Sequence, residues 1–319
     1  HSLFGPAHSK LIIGRVVATG LSDEHRDRRY LIVDAIDGHS HYADIGEDQQ
    51  ALPIGSIVRL TPAPVEVREV DRTIARVAAR HQGHYSVDIH LGHDPLMTEG
   101  RVQAYVRRLE AMRRMIGKPE RQPDGVWLLG QDHLTDAEHY EREKSRRVPV
   151  RIETLSHRPL EALPHHDGAT WLDRELVSEQ RETLAAGFGL DVRNRLVQRQ
   201  AWLVEQGLAE MEGPDIRFRR SLLLVLQQRE LSRTSQLISE ETGLRHVTPR
   251  HGESIEGIYR RTVIIGDQRY ALIEKSREFA LVPWRPVLER AVGKSVAGVM
   301  REGPISWTIG GRSRGLDIG

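Results

Sequence analysis

Three groups of histidines contain the residue types of a metal site. His39 and His41 are separated by one residue, His90 and His93 by two, and the segment 165–167 reads His-His-Asp. Imidazole and carboxylate groups together bind zinc and similar ions. However, no pair has the His-Glu-x-x-His spacing of a helical metal site, and sixteen histidines in 319 residues form close pairs by chance. We therefore predict no bound metal and no cofactor.

The stretch Pro164–Leu176 also contains acids that could support phosphoryl or glycosyl transfer. These candidates are Asp167, Asp173 and Glu175. Thr170 precedes Asp173 by three residues, which is the spacing of a helix N-cap and the acid that completes it. We favour this second interpretation, which makes the stretch the start of a helix.

The structural interpretation of this stretch has two consequences. Trp171 should be buried, and His165 and His166 should not converge on a common ligand. The sequence also lacks the glycine-rich phosphate loop, the GxGxxG motif and the GxSxG motif. It has no cysteine, which excludes thiolate chemistry. We expect a chain without catalytic residues.

Charge and hydropathy limit the class of protein. The formal net charge is +1, so the chain as a whole does not attract nucleic acid strongly. No run of 18 apolar residues is present, which predicts no membrane span. The chain begins at His1 without a recognisable secretory signal. We expect a fragment of a longer, cytoplasmic protein.

Most of the basic residues are arginines rather than lysines, and some of them form two local sets along the chain. Five of the 46 are lysines, so 41 are arginines. The guanidinium group binds phosphate and guanine through two parallel hydrogen bonds. The candidate nucleic-acid-binding residues are Arg107, Arg114, Lys118 and Arg121 in the first set, and Arg195, Arg199, Trp202, Arg217, Arg219 and Arg220 in the second. Solvated helix faces, with Trp202 in the core, are the alternative interpretation.

Both sets fall on a helix followed by a hairpin. Apolar residues at helical spacing predict helices from about Leu96 to Ile116 and from Leu190 to Gln206. Turn residues then follow at Pro123-Asp124 and Pro214-Asp215, an offset of 91 residues. A helix followed by a short hairpin is typical of the second half of a winged helix. The sequence therefore predicts two winged-helix-like units, at 63–155 and 156–245.

Strand-rich segments lie on both sides of these units. Residues 1–62 contain five short β-rich stretches, which predict a small SH3-like or OB-like β-barrel. The pattern Asp27-x-Arg29-Tyr30 recurs as Asp267-x-Arg269-Tyr270 at an offset of 240. A second barrel with a tail is therefore predicted at 246–319. The predicted fold class is α+β, with two β-barrels bracketing two winged-helix-like units.

Six stretches resemble the C-terminal region of bacterial relaxase/mobilization nucleases of the VirD2-like kind, a domain of unknown function. They are residues 14–38, 79–95, 167–176, 199–210, 281–300 and 311–319. In such proteins a preceding nicking domain contains a tyrosine nucleophile and a His-hydrophobic-His metal motif. His39-Ser40-His41 has serine at the middle position, so the chain resembles the non-catalytic part of a relaxase.

The resemblance implies conjugative DNA transfer. The full-length protein would nick plasmid DNA at the transfer origin, remain covalently attached and be exported through a type IV secretion channel. This region would contribute DNA binding at the origin, or recruitment by the secretion coupling protein or relaxosome accessory proteins. A pure interaction and translocation-signal module without DNA binding is the main alternative, and a metal-dependent enzyme is a third.

Overall fold

The computed structural model describes residues 2–4, 11–47, 49, 52–179, 184, 186–250, 252–266, 268–299 and 306–309. The fold is mixed α+β, and the chain divides into two compact units. Unit 1 consists of His1–Ala35, His39–Ile54 and Arg59–Glu153; unit 2 consists of Ile36–Gly38, Gly55–Val58 and Thr154–Gly319. The sequence placed a boundary after residue 155, two residues from the division between Glu153 and Thr154.

The first sheet has six strands in the order β1-β4-β3-β2-β5-β9. Their bounds are β1 Ser2–Phe4, β2 Ile12–Asp23, β3 Arg28–Ala35, β4 Ser40–Glu47, β5 Ile57–Pro62 and β9 Val150–Ser156. β1 pairs with β4 in parallel, whereas β2, β3 and β4 form an antiparallel meander. Leu31, Val33 and Ala35 alternate with more exposed residues along β3, so one face of the sheet carries the core.

The second sheet repeats this arrangement. Its order is β12-β15-β14-β13-β16-β17. The strands are β12 Arg245–His246, β13 Ser254–Ile265, β14 Gln268–Lys275, β15 Glu278–Pro283, β16 Ser295–Val299 and β17 Ser306–Ile309. β12 pairs with β15 in parallel and β13, β14 and β15 form the meander, as in the first sheet. β14 lies 240 residues after β3 in the chain, which is the offset of the sequence repeat. Asp267, one residue of that repeat, lies outside the described residues.

Each sheet contains one glycine that lies very close to the backbone of the neighbouring strand. A Cβ atom on Gly14 would lie 2.4 Å from the carbonyl oxygen of Asp34, and one on Gly257 would lie 2.4 Å from that of Glu274. Only glycine permits such close approach of two backbones. A register shift follows in each sheet, between Val16 and Ala18 in β2 and between residues 259 and 261 in β13. The two sheets therefore share local irregularities as well as strand order.

The predicted barrels are wrong as closed structures. In the described part of the chain both sheets are open, with β1 and β9 at the edges of the first and β12 and β17 at the edges of the second. Local strand patterns do not determine which strands pair at the edges, because that pairing joins residues far apart in sequence. No helix among the described residues is long and apolar enough to cross a membrane.

Unit 1 also contains a helical region, called here the first helical region. Its elements are α1 Glu69–Arg80, β6 His84–Tyr85, α2 Val87–His93, α3 Glu99–Ile116, β7 Glu120–Arg121, β8 Trp127–Leu128 and α4 His133–Arg147. The three short strands form an antiparallel sheet in the order β6-β8-β7. Ile74, Tyr85, Leu109 and Trp127 are among the residues of its core.

The second helical region belongs to unit 2. It consists of a 3-10 turn at Leu160–Ala162, α5 Trp171–Val177, α6 Phe188–Glu205, β10 Ala209–Glu212, β11 Asp215–Phe218 and α7 Leu222–Thr242. β10 and β11 form an antiparallel hairpin directly after α6. Leu176, Leu203, Leu208 and Leu226 pack together in its core. Each helical region therefore contains the predicted helix followed by a hairpin.

Candidate nucleic-acid interface

Helix α3 begins and ends where its sequence requires. Thr98 occupies the N-cap with extended backbone, and Gly117 ends the helix with a φ of 76°. Glycine adopts this left-handed conformation without steric cost. Val102, Leu109 and Met112 are fully buried and face the core of the first helical region. The opposite face of α3 is therefore the one available to a ligand.

That opposite face combines small residues with two arginines. Gly100, Ala104, Arg107, Ala111 and Arg114 follow one another at spacings of four, three, four and three residues, which aligns them along the helix. Arg107 is exposed and has no ion-pair partner among the described residues. The Arg114 side chain is 77% exposed, with its Nε atom 3.1 Å from the carboxylate of Glu110. Small neighbours leave both guanidinium groups accessible.

The hairpin β7–β8 places two further predicted residues beside the end of α3. Lys118 and Arg121 line an open cavity of about 740 Å³ together with Arg113. Trp127 is 1% exposed and anchors the hairpin, while the guanidinium carbon of Arg121 lies 5.5 Å from the centre of its ring system. Lys118 is 3.4 Å from Asp136. The sequence did not identify Arg113 as part of this group.

The same cavity contains a buried histidine and several acids. His133 is 2% exposed, and neither of its ring nitrogens has a hydrogen-bond partner. Burial lowers the pKa of His133, with a smaller contribution in the same direction from Arg108. Neutral imidazole is therefore favoured at physiological pH. Glu120, Asp132 and Asp136 also line the cavity and balance the three cations.

A buried arginine holds the face of α3 in place. Arg108 donates from Nε and Nη2 to the two carboxylate oxygens of Asp71 at 2.9 and 2.8 Å, and from Nη1 to Glu141 at 2.6 Å. Its guanidinium carbon is 4.5 Å from the centre of the Tyr140 ring. Asp71 is the third residue of α1 and also accepts a hydrogen bond from the backbone N–H of Arg68. This network joins α1, α3 and α4.

The second helical region uses Arg199 in the same way. The prediction that Arg199 lies on a nucleic-acid-binding strip is wrong, because its side chain is 0% exposed. It donates to both carboxylate oxygens of Asp173, from Nε at 2.7 Å and from Nη2 at 2.8 Å. It also donates to the backbone carbonyl oxygens of Pro164, His166 and Gly168. Arg199 thus stabilises the loop before α5 and has no donor left for DNA.

The other predicted residues of the second set are divided between core and surface. Trp202 is 8% exposed, packs in the hydrophobic core and lies 4.3 Å from the guanidinium carbon of Arg199, so its assignment to DNA contact is also wrong. Arg195 is half-buried and donates to Gln198. The remaining three are exposed on or just after the hairpin: Arg217, which pairs with Glu212, and Arg219 and Arg220.

The exposed face of α6 is not basic. Leu190, Asn194, Val197 and Ala201 align on it, and Val197 is 62% exposed. Arg193 is an exposed cation on an adjacent line of the same helix. The structure therefore separates the two predicted basic surfaces: that of α3 is present, and that of α6 is replaced by a face of uncharged residues, with Asn194 between Leu190 and Val197.

The segment Pro164–Leu176 has the structural role that its capping pattern predicted. Asp173 receives hydrogen bonds from the backbone N–H and hydroxyl of Thr170 at 2.7 and 2.8 Å, which confirms the predicted cap. Trp171 is 2% exposed, which confirms its predicted burial. His166 bonds to Glu230 at 2.9 Å. No group of three or more acids and histidines in the described residues could hold a metal ion.

Glu230 balances several cations within the second helical region. Burial raises the pKa of its carboxyl, but the hydrogen bonds from His166 and the Gly266 backbone N–H and the charge of Arg158 outweigh that effect and lower the pKa. The ionised carboxylate is therefore favoured. Of the other two acids of the predicted set, Asp167 forms ion pairs with Arg229 and Arg233, and Glu175 accepts a hydrogen bond from the indole N–H of Trp171 at 2.9 Å. These acids are engaged in structural contacts, as the helix-start interpretation expects.

The equivalent contact in the first helical region was not predicted from the sequence. Arg108 precedes Arg199 by 91 residues, which is the offset of the hairpin turns. Asp71 and Asp173 are both the third residue of the helix that opens their region. Applying the offset to α3 and α6 would have paired the two arginines and indicated a shared structural role for both.

Comparison with known proteins assigns the chain to a family. The profile of the family described as "Protein of unknown function (DUF3363)" matches residues 5–317. The chain belongs to this family. Searches of curated proteins and of solved structures found no significant match. The DUF3363 match spans both units and therefore both helical regions and both sheets.

Proposed function

We propose that this chain is the non-catalytic, DNA-binding C-terminal region of a VirD2-like conjugative relaxase. DNA would lie against α3 and the β7–β8 hairpin of the first helical region. The observation that carries the proposal is the exposed line of Arg107 and Arg114 on α3, beside the cations of the hairpin. The resemblance of six stretches to relaxases supplies the biological setting.

The order of elements supports this placement. The first helical region has the order α1-β6-α2-α3-β7-β8 with a sheet order of β6-β8-β7, and this order supports the proposal that the region acts as a winged helix. In helix-turn-helix proteins a recognition helix enters the major groove. Gly100 and Ala104, which are exposed, would allow the α3 backbone to approach DNA closely, while Arg107 and Arg114 reach phosphate or base edges.

Lys118, Arg113 and Arg121 would then hold the phosphate backbone next to the helix. Arg121 has no acidic partner in the described residues, so binding a phosphate requires no ion pair to break. In the second helical region, Arg217, Arg219 and Arg220 are the exposed cations that could add phosphate contacts. In this proposal the chain acts in the bacterial cytoplasm at the transfer origin and is exported with the full-length protein.

Fluorescence anisotropy tests the proposal on the 319-residue chain with labelled single-stranded and duplex DNA over a range of salt concentrations. Replacing two phosphate-contacting arginines, as in Arg107→Ala with Arg114→Ala, should weaken binding about tenfold and reduce the slope of log K against log salt by about 1.4 for single strands or 1.8 for duplex. The matched control is Arg193→Ala with Arg195→Ala on α6, which should change binding little. Absence of binding at low salt, or equal losses in both variants, would contradict it.

Two exposed apolar side chains on α6, Leu190 and Val197, favour a second function, recognition by a protein such as the secretion coupling protein or a relaxosome accessory protein. Large apolar side chains that lie exposed together are typical of protein-binding surfaces. Val197→Glu tests this function, because the exposed position should tolerate the change with a loss of stability below about 0.5 kcal/mol. Reduced capture by the coupling protein with unchanged DNA affinity would support it. Unchanged capture would exclude the α6 face as the binding surface.

A further inference from the structure

A second cavity, lined only by residues of unit 1, has an excess of positive charge. It measures about 260 Å³ and is formed by the end of α4, the start of β9 and the segment before α1. Three cations line it, one from each of these places: Lys144, Arg151 and Arg68. Glu141 is the one acid that lines it. The volume is several times the roughly 30 Å³ that a water molecule occupies in the liquid.

Glu141 does not neutralise this cavity. Its carboxylate is 3% exposed and is shared between Arg108, at 2.6 Å, and Arg68, at 2.9 Å. Lys144 and Arg151 have no acidic partner among the described residues. The 740 Å³ cavity at the hairpin has no such excess of positive charge, because equal numbers of acids and cations line it. Two unpaired cations therefore face the smaller cavity, beside a carboxylate that already binds two arginines.

The cations around this cavity affect the pKa of Lys144. Burial is the largest cause that lowers its pKa, and Arg68, Arg108 and Arg151 lower it further by repulsion, partly offset by Glu141. Bringing an anion into the cavity would reverse the repulsive part of this effect. An anionic ligand would therefore stabilise the protonated form of Lys144.

We propose that this cavity binds a phosphate group, held by Arg68, Lys144 and Arg151. A phosphate is tetrahedral and has several acceptor oxygens, so it can accept hydrogen bonds from cations that approach from three elements. A carboxylate ligand is planar and would accept hydrogen bonds from fewer directions than a phosphate. The ligand is a phosphate on a small molecule or one in a nucleic-acid backbone. The inference does not depend on DNA binding at α3, because the two surfaces share no residue.

Isothermal titration calorimetry of the 319-residue chain with inorganic phosphate and pyrophosphate tests the site. Lys144→Gln and Arg151→Gln should each weaken pyrophosphate binding by about tenfold or more, the loss of one charge-assisted hydrogen bond. Arg151→Lys keeps the charge and should retain part of the affinity. Lys294→Gln, at an exposed lysine just before β16 in the other unit, is the control and should bind pyrophosphate as the unmodified chain does.

Proton uptake provides a readout that general loss of structure would not imitate. In buffers of different ionisation enthalpy, binding near the lowered pKa of Lys144 should take up protons, and Lys144→Gln should abolish that uptake. No heat of binding at about 1 mM pyrophosphate, or equal affinity in all the variants, would overturn the proposal.

A competition experiment distinguishes the two sources of phosphate. If the ligand is a free small molecule, saturating pyrophosphate and the Lys144→Gln change should both leave the affinity for labelled DNA unchanged. If it is a backbone phosphate, both should weaken DNA binding, and the loss should persist in the Arg107→Ala, Arg114→Ala background. Failure of DNA binding at α3 would leave the pyrophosphate result unaffected, so the two proposals fail separately.

Discussion

The two helical regions use the same internal anchor and present different surfaces. In each, an arginine on the helix before the hairpin binds an aspartate at the third position of the opening helix: Arg108 with Asp71, and Arg199 with Asp173. The exposed face of α3 carries Arg107 and Arg114, whereas the exposed face of α6 carries apolar and uncharged residues. Buried contacts thus persist between repeats while the outer faces differ.

This difference separates stability from recognition. Neither residue of a buried arginine–aspartate pair can be substituted alone without destabilising the fold, because the other is then left as an uncompensated charge. Exposed positions such as Arg107 and Val197 can change at little cost in stability. We therefore interpret the common ion pair as the element that maintains the helix-plus-hairpin structure and the outer faces as the sites where the two regions acquired separate roles.

The largest expected effect comes from removing the common arginine. Arg108→Ala and Arg199→Ala should each lower the free energy of unfolding by about 3 to 5 kcal/mol, because each leaves a buried carboxylate unpaired. Urea denaturation measures this loss. Converting the pair to apolar residues, as in Arg199→Met with Asp173→Leu, should restore part of the stability. If either single variant loses less than about 1 kcal/mol of unfolding free energy, the two arginine–aspartate pairs do not have the same structural role.

A smaller difference is expected at the aromatic residue of each hairpin. Trp127 and Phe218 occupy corresponding positions in the repeat, but Trp127 is 1% exposed and Phe218 is only partly buried. Trp127→Ala should cost about 3 to 5 kcal/mol, and Phe218→Ala about half as much, because less apolar surface leaves a packed environment. Trp127→Phe should lose less than Trp127→Ala. Equal losses at the two positions would show that the hairpins are anchored alike.

The smallest expected effect is a difference in pH dependence. Burial lowers the pKa of His90 and His133 in the first helical region, so below the unfolded value of about 6.5 the unfolded chain binds protons that the folded chain resists. Stability from these groups is present above that pH and is lost as the pH falls. Glu230 in the second region also has a lowered pKa, but its contribution is lost only below about 4.3.

Comparing variants separates these contributions, since burial also lowers the pKa of His246 in the second sheet. The free energy of unfolding of His133→Gln should vary less with pH than that of the unmodified chain as the pH falls below about 6.5. Glu230→Gln should retain the pH dependence in that range and lose part of it below about 4.3. If the His133→Gln profile is parallel to that of the unmodified chain, His133 is not a source of the acid sensitivity.

Helices, caps and the internal repeat could be predicted because their signals are local. The apolar spacing placed α3 from Leu96 to Ile116, against an observed Glu99–Ile116, and Gly117 ends it as expected. The Thr170 and Asp173 cap depends on two residues three positions apart. The strand pattern repeated at an offset of 240 corresponds to two sheets of the same strand order.

Barrel closure and the position of Arg199 could not be predicted in the same way. Helical spacing puts Arg195, Arg199 and Trp202 on one strip, but spacing alone does not indicate whether the strip faces water or the core. The answer depends on Asp173 and the carbonyl oxygens of the preceding loop, which the fold brings to α6 from about 30 residues away. The cavity around Lys144 is likewise assembled from separated segments.

The sequence by itself determined that the chain is α+β, that it contains two helix-plus-hairpin segments and two related strand-rich segments, and where α3 and α6 begin and end to within about three residues. These features follow from residue periodicity and capping, which act over a few positions. Only the tertiary structure decided which arginines are buried anchors and which are exposed. That distinction depends on burial and on charged partners distant in sequence, which fix whether a guanidinium group has donors left for a ligand.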